Sequence, residues 1–169
     1  MERLKGKPDR DLRLLQSVVR TFGPISRGRI QEITQIRRSA IPALVRHLQD
    51  QGRLLEAGRV SARTGRKQVL LRINEASGHV ASVEFDEESV KAGVTDLKPR
   101  LLCRITEPTN LKEGTEGLVR QLLSITGRAI QESGINPASL IGVGVADPGL
   151  VDSRAGVTVF SSTIDFWKR

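Results

Sequence analysis

The sequence predicts two units in series: an α+β unit of three helices closed by a β-hairpin over residues 1–76, and the opening of an α/β domain, in the order βββαβ, over residues 77–169. Three observations predict this. Helical apolar spacing runs from Leu12 to Leu48 and then gives way to short β-rich runs. The polar stretch Asn74-Glu75-Ala76-Ser77-Gly78 separates two apolar runs. The charge divides at the same place. Residues 1–78 hold 17 Lys+Arg against 7 Asp+Glu, a balance of +10, and residues 79–169 hold 10 against 12, a balance of −2. The whole excess of +8 therefore sits in the first unit.

In that unit Leu12, Leu14, Leu15, Val18 and Val19 recur at helical spacing, and Phe22 continues the face into a core position. Gly23-Pro24 ends the helix. Ser26 caps a second helix over 27–34, with Ile30 and Ile33 as its apolar positions. A tight break at Gln35-Ile36 follows. A left-handed conformation at Gln35, where glycine is the residue of choice, would cost about 1 kcal/mol. A third helix is expected from about Arg38 to Gln51, with Ile41, Leu44, Val45 and Leu48 on one face. Pro42 falls about one turn into it, where a missing amide tightens or kinks the helix. Gly52 stands where a left-handed C-terminal cap belongs. Two strands come next, 54–56 and 68–73, joined by a turn-rich segment with four cations and no acid.

Three helices followed by a hairpin make a winged helix-turn-helix. A single helix fits the DNA major groove, and its leading turn here carries Arg37, Arg38, Ser39 and Ala40. The two arginines suit guanine edges or phosphates, and Ser39 suits either. Arg46 and His47, further along, are placed toward the backbone. Free amides at a helix N-terminus also attract phosphate, and Arg27, which opens the second helix, is counted among the DNA-binding residues. Arg63, Arg66 and Lys67, with Arg59, suit phosphates or the adjacent minor groove. The plainer reading is a solvated basic surface, with hairpin charges that keep a strand edge from pairing. The combination of third helix and cationic hairpin favours nucleic acid. Single-strand readers stack bases on exposed aromatics, and Phe22 is the one aromatic in the basic unit, so duplex DNA is the expected partner.

The second unit opens with strands at 79–85, 89–97 and 101–105, joined by an acidic turn at 86–88 and a Lys98-Pro99 turn. A helix from about Lys112 to Ser133 carries Leu118, Leu122, Ile125 and Ala129 at helical spacing, and Gly134 closes it. Residues 140–145 read as a buried strand, ended by Ala146-Asp147-Pro148-Gly149. Asp147 and Asp152 read as loop carboxylates that cap local amides.

The composition excludes several classes. No apolar run approaches the ~18–20 residues that cross a bilayer, and the charged start leads into no signal-peptide core. Cys103 is the single cysteine, which leaves no internal disulfide and no cysteine-based zinc site. His47 has no partner at metal-ligand spacing. A cytoplasmic protein without cofactor or metal is expected.

The order of elements and the run Ile141-Gly142-Val143-Gly144-Val145-Ala146-Asp147-Pro148-Gly149-Leu150-Val151-Asp152 resemble the ROK family of sugar kinases and sugar-responsive repressors. That family has a buried glycine-rich strand, then Pro-Gly, an apolar pair and Asp; Gly156 and Trp167 also match. Ser26-Arg27, Gly52 and Gly65-Arg66-Lys67 sit where the repressor branch has similar residues. The resemblance implies an actin-like, ribonuclease-H-type domain behind the winged helix. It departs in one place. Where the kinases have an Asp and a glycine-rich phosphate turn, this chain has Glu84-Phe85-Asp86-Glu87-Glu88-Ser89. The three carboxylates of its turn, Asp86, Glu87 and Glu88, repel a triphosphate there by several kT. The family's catalytic aspartate, sugar-contacting residues and zinc motif have no counterpart up to residue 169, so no catalytic residue is assigned.

The resemblance therefore implies a regulator of sugar metabolism, a repressor rather than an enzyme, that binds duplex DNA as a homodimer on a palindromic site. A sugar or sugar phosphate is the effector implied for a longer form. A sugar kinase and a winged-helix protein-interaction module are the alternatives.

Overall fold

The structure is a computed structural model and describes residues 7–61 and 67–168. The chain divides into two compact units, Met1–Ser77 and Gly78–Arg169.

In the first unit the elements run α1 (Lys7–Phe22), β1 (Ile25–Ser26), α2 (Arg27–Thr34), α3 (Ile41–Asp50), β2 (Leu54–Ser61) and β3 (Lys67–Ile73). The three strands form an antiparallel sheet in the order β1-β3-β2. Its core is the apolar set the periodicity singles out: Leu15, Val18 and Val19 of α1, Ile30 of α2, and Ile41, Val45 and Leu48 of α3, closed by Leu54, Leu71 and Ile73. Ser26 caps α2 as expected, its Oγ accepting the Arg29 amide at 3.3 Å. Gln35 takes the left-handed conformation at φ 55° and ends α2. Gly52, at φ 67°, reverses the chain after α3, and the Arg53 amide donates to the Leu48 carbonyl.

Four local expectations need correction. The third helix starts at Ile41 rather than near Arg38, because residues 38–40 form a preceding turn. Pro42 consequently lies in the helix's first turn, where its missing amide would have no intrahelical partner, so nothing is kinked. The first hairpin strand does not stop at Glu56. A bulge between Glu56 and Arg59, around Gly58 at φ 102°, lets pairing continue to Ser61 opposite Lys67. Phe22 is not core: as the last residue of α1 it projects past the packed layer and is 58% exposed.

The second unit runs β4 (His79–Phe85), β5 (Ser89–Asp96), β6 (Leu101–Pro108), α4 (Gly114–Glu132), β7 (Leu140–Ala146), β8 (Leu150–Asp152) and β9 (Val157–Phe160). The sheet order is β6-β5-β4-β7, with β7 parallel to β4 and the other pairs antiparallel. Ala81, Val83 and Phe85 alternate inward along β4 and meet Leu118, Ile125 and Ala129 of α4. Phe85 is also packed edge-on by Trp167, with centroids 5.1 Å apart.

The expected βββαβ order is thus present, followed by a two-stranded β8–β9 hairpin that the sequence did not predict. The strand at 140–146 is correct in place but not in burial. Ile141, Val143 and Val145 are 64%, 53% and 62% exposed. They share the core-facing side of the sheet, since Val143 and Val145 pair with Ala81 and Val83. However, β7 is the edge strand, and α4 packs over β4, β5 and β6. Asp147 and Asp152 do cap local amides: Asp147 accepts from Gly149 at 2.7 Å, and Asp152 from Arg154 and Ala155 at 2.9 and 3.1 Å. Asp147 further accepts the Trp167 indole N–H and the Thr158 hydroxyl, each at 2.6 Å, which fixes the hairpin base. Among the described residues no helix is long and apolar enough to cross a membrane.

Candidate nucleic-acid interface

The candidate residues fall on four segments of the first unit: the entry to α3, α3 itself, the hairpin and the start of α2. The first is the entry to α3. Thr34 donates to the Ile30 carbonyl and accepts the Ile36 amide, and the Gln35 side chain donates to the Glu32 carbonyl at 2.7 Å. These bonds fix the break after α2 while Ile36 anchors it in the core. Residues 37–40 are then held as a turn by the Ala40 amide on the Arg37 carbonyl at 2.8 Å. Arg37, Arg38 and Ser39 are exposed there, with Ala40 half-buried. The turn is thus closed by a backbone bond and its arginine side chains are exposed, which is the arrangement a polyanion contact needs.

The second segment is α3 itself. Its inner face is filled by Ile41, Val45 and Leu48, so Pro42, Ala43, Arg46 and His47 face out. Gln51 lies one turn after His47, its side-chain nitrogen 3.0 Å from His47 Nε2. The third segment is the hairpin. Arg59 and Lys67 are exposed on β2 and β3, whereas Arg63 and Arg66 lie outside the described residues. Arg27 is exposed as the first residue of α2.

Charge pairing separates these cations from their neighbours. Arg13, Arg29 and Arg72 are paired with Asp9, Glu32 and Glu75. Arg27, Arg37, Arg38, Arg46, Arg59 and Lys67 make no ion pair with another described residue. A groove of about 710 Å³ between α1 and the start of α3 brings Arg37, Ala40 and His47 together, over a floor that includes Leu12, Leu14 and Leu44. Ala43, which also lines the groove, was missed in the sequence. The signal for it was available, because it lies opposite the apolar stripe of α3.

The acidic turn between β4 and β5 of the second unit offers a contrasting geometry. The Asp86 carboxylate accepts the Ser89 amide at 2.7 Å and the Glu88 amide at 2.8 Å. The turn's own carboxylate therefore occupies the donors an anionic ligand would use. Those two bonds, Ser89's first, hold the Asp86 carboxyl below its ordinary value of 3.8. A depressed carboxyl contributes stability that is present above its ordinary value and fades as pH falls through the folded one. In an NMR titration the Asp86 side-chain carbon should show a midpoint below 3.8. A midpoint at or above it contradicts the capping.

No family model matches the chain. Individual relatives do. A xylose repressor of Bacillus subtilis is 24% identical over 140 residues, and one of Caldicellulosiruptor bescii is 19% identical over 140 residues. The DNA-binding transcriptional dual regulator NagC of Escherichia coli is 26% identical over 136 residues. A solved ROK family transcriptional regulator, a homolog of the Escherichia coli MLC protein, superposes with a TM-score of 0.70 at 16% identity. The chain is related to the ROK-family regulators. The ROK regulator structure matches 95% of this chain with 42% of its own length, and it shares the mixed α and β architecture. The xylose repressors and NagC match over 80–83% of this chain and 33–36% of theirs, so the chain spans about a third of the length of these ROK relatives. The ROK relatives found are regulators rather than kinases.

Proposed function

We infer that the chain is a sequence-preferring duplex-DNA-binding protein, the regulatory end of a ROK-type repressor of sugar metabolism. In this reading residues 1–76 are a winged helix-turn-helix with α3 as the recognition helix and β2–β3 as the wing. Residues 77–169 are the opening part of an actin-like sugar-kinase-like domain. Arg37, Arg38, Ser39 and Ala40 enter the major groove, Arg46 and His47 flank it, Arg27 sits on a phosphate, and Lys67 with Arg63 and Arg66 serves the wing. The observation that carries the reading is the exposed pair Arg37 and Arg38, which make no ion pair with another described residue, on a turn into α3 closed by the Ala40 amide on the Arg37 carbonyl.

The relatives named as a DNA-binding regulator and as xylose repressors support transfer of DNA binding and sugar-linked regulation to this chain. A cytoplasmic homodimer on a two-fold symmetric site completes the reading. A sugar or sugar phosphate enters it as the effector of a longer form only. Kinase activity is not part of it, because the Asp86 carboxylate caps the turn that would have to hold ATP phosphates.

The test is binding of the 169-residue chain to random and selected duplexes across a salt series. With about five phosphates neutralised, log K should fall against log salt with a slope of about −4.5. A slope near zero, or equal affinity for single-stranded and duplex DNA, overturns the proposal.

A further inference from the structure

The outward face of α3 is centred on an alanine. Taking Ile41 as zero, the half-buried Leu44 and the buried Val45 and Leu48 cluster within about 60° of it, whereas Ala43 lies about 200° round the helix. Arg46 and His47 flank that azimuth one turn on, and Pro42 precedes it. All four are exposed. Opposite the buried face, the leading turn therefore presents a methyl group, with the pyrrolidine ring of Pro42 about 100° to one side of it. Neither donates nor accepts a hydrogen bond. One turn further along the same azimuth stands Asp50, whose carboxylate repels phosphate and leaves the first two turns as the contact length.

A base edge meeting this face cannot be read there by the bidentate bonds that arginine offers guanine or glutamine offers adenine. The one major-groove feature complementary to a small apolar group is the C5-methyl of thymine. We propose that Ala43, supported by Pro42, is a specificity-determining position that reads thymine methyl groups, with Arg38 and Arg46 contacting bases or phosphates on either side. This rests on the DNA-binding reading above and adds to it the base chemistry of the central contact.

The experiment uses the 169-residue chain and duplexes recovered by repeated selection from a random pool. Each thymine of the recovered half-site is replaced in turn by deoxyuracil, which removes only the methyl group. At one or two positions the replacement should weaken binding about fourfold, the equivalent of one buried methyl. Ala43→Gly should abolish that difference between thymine and uracil while leaving the salt slope intact. The substitution in the DNA needs no variant protein, so a folding defect cannot mimic the result. Recovered sites whose affinity is indifferent to uracil everywhere overturn the alanine inference and leave the DNA-binding reading standing. A pool from which no preferred sequence emerges overturns both.

Discussion

Replacing Arg38 with alanine lowers affinity for the preferred duplex by about one to two orders of magnitude and relaxes preference at one base pair, in keeping with the ~1–3 kcal/mol of a bidentate arginine–guanine contact. Arg37→Ala has the other signature if its partner is phosphate: binding weakens on all sequences and the salt slope shrinks by about one. Neither change disturbs the fold. Both side chains are exposed and make no ion pair with another described residue, and the turn that holds them is bonded through backbone and through Gln35 and Thr34. The melting temperature of both variants should therefore match the parent within the error of the measurement. Fluorescence anisotropy against preferred and scrambled duplexes at two salt concentrations separates the two roles. Parent-like affinity of the double variant on every duplex would remove the turn that precedes α3 from the interface.

The elements that carry this prediction were largely legible in the sequence, and for identifiable reasons. Ser26 and Gln35 bracket α2 because one side chain caps its start and a positive φ ends it, and both act within a few residues. Gly52 is legible in the same way. The inward set of α3 follows from its spacing alone. What escaped depends on contacts distant in the chain. The two residues of β1 are a strand only because Leu70 and Leu71 pair with them. β2 continues past Glu56 only because a bulge at Gly58 restores register with β3. Phe22 fits the apolar stripe but lies at the helix end, beyond what the layer covers. The apolar alternation of Ile141, Val143 and Val145 specifies a strand and a face, but only the sheet order places that strand at an edge, outside the cover of α4. In the interface the same division holds. The arginines were legible as charge, while Ala43, legible in principle as the position opposite the apolar stripe of α3, carries no charged or hydrogen-bonding group to single it out.

Leu48→Ala lowers apparent DNA affinity by a different route, most strongly on warming toward its lowered melting transition. Leu48 is fully buried in the last turn of α3, a helix that packs against α1, α2 and β2. Truncating such a leucine removes its burial free energy and leaves a cavity, at a cost of about 2–5 kcal/mol. A unit of this size has only about 5–10 kcal/mol in total at the typical per-residue value. Its melting transition should fall by about 10 °C or more. Apparent affinity then falls with the folded fraction, equally on preferred and scrambled duplexes, because the surviving folded molecules keep their interface. Leu48→Met, which conserves volume, should cost less than about 1.5 kcal/mol and retain binding. The pair of variants thus separates loss of the scaffold from loss of the contact surface: Arg38→Ala changes sequence preference at constant melting temperature, and Leu48→Ala changes melting temperature at constant preference. A Leu48→Ala chain that melts with the parent would show that α3 is not held by its inner face, and the outward placement of Ala43, Arg46 and His47 would fall with it.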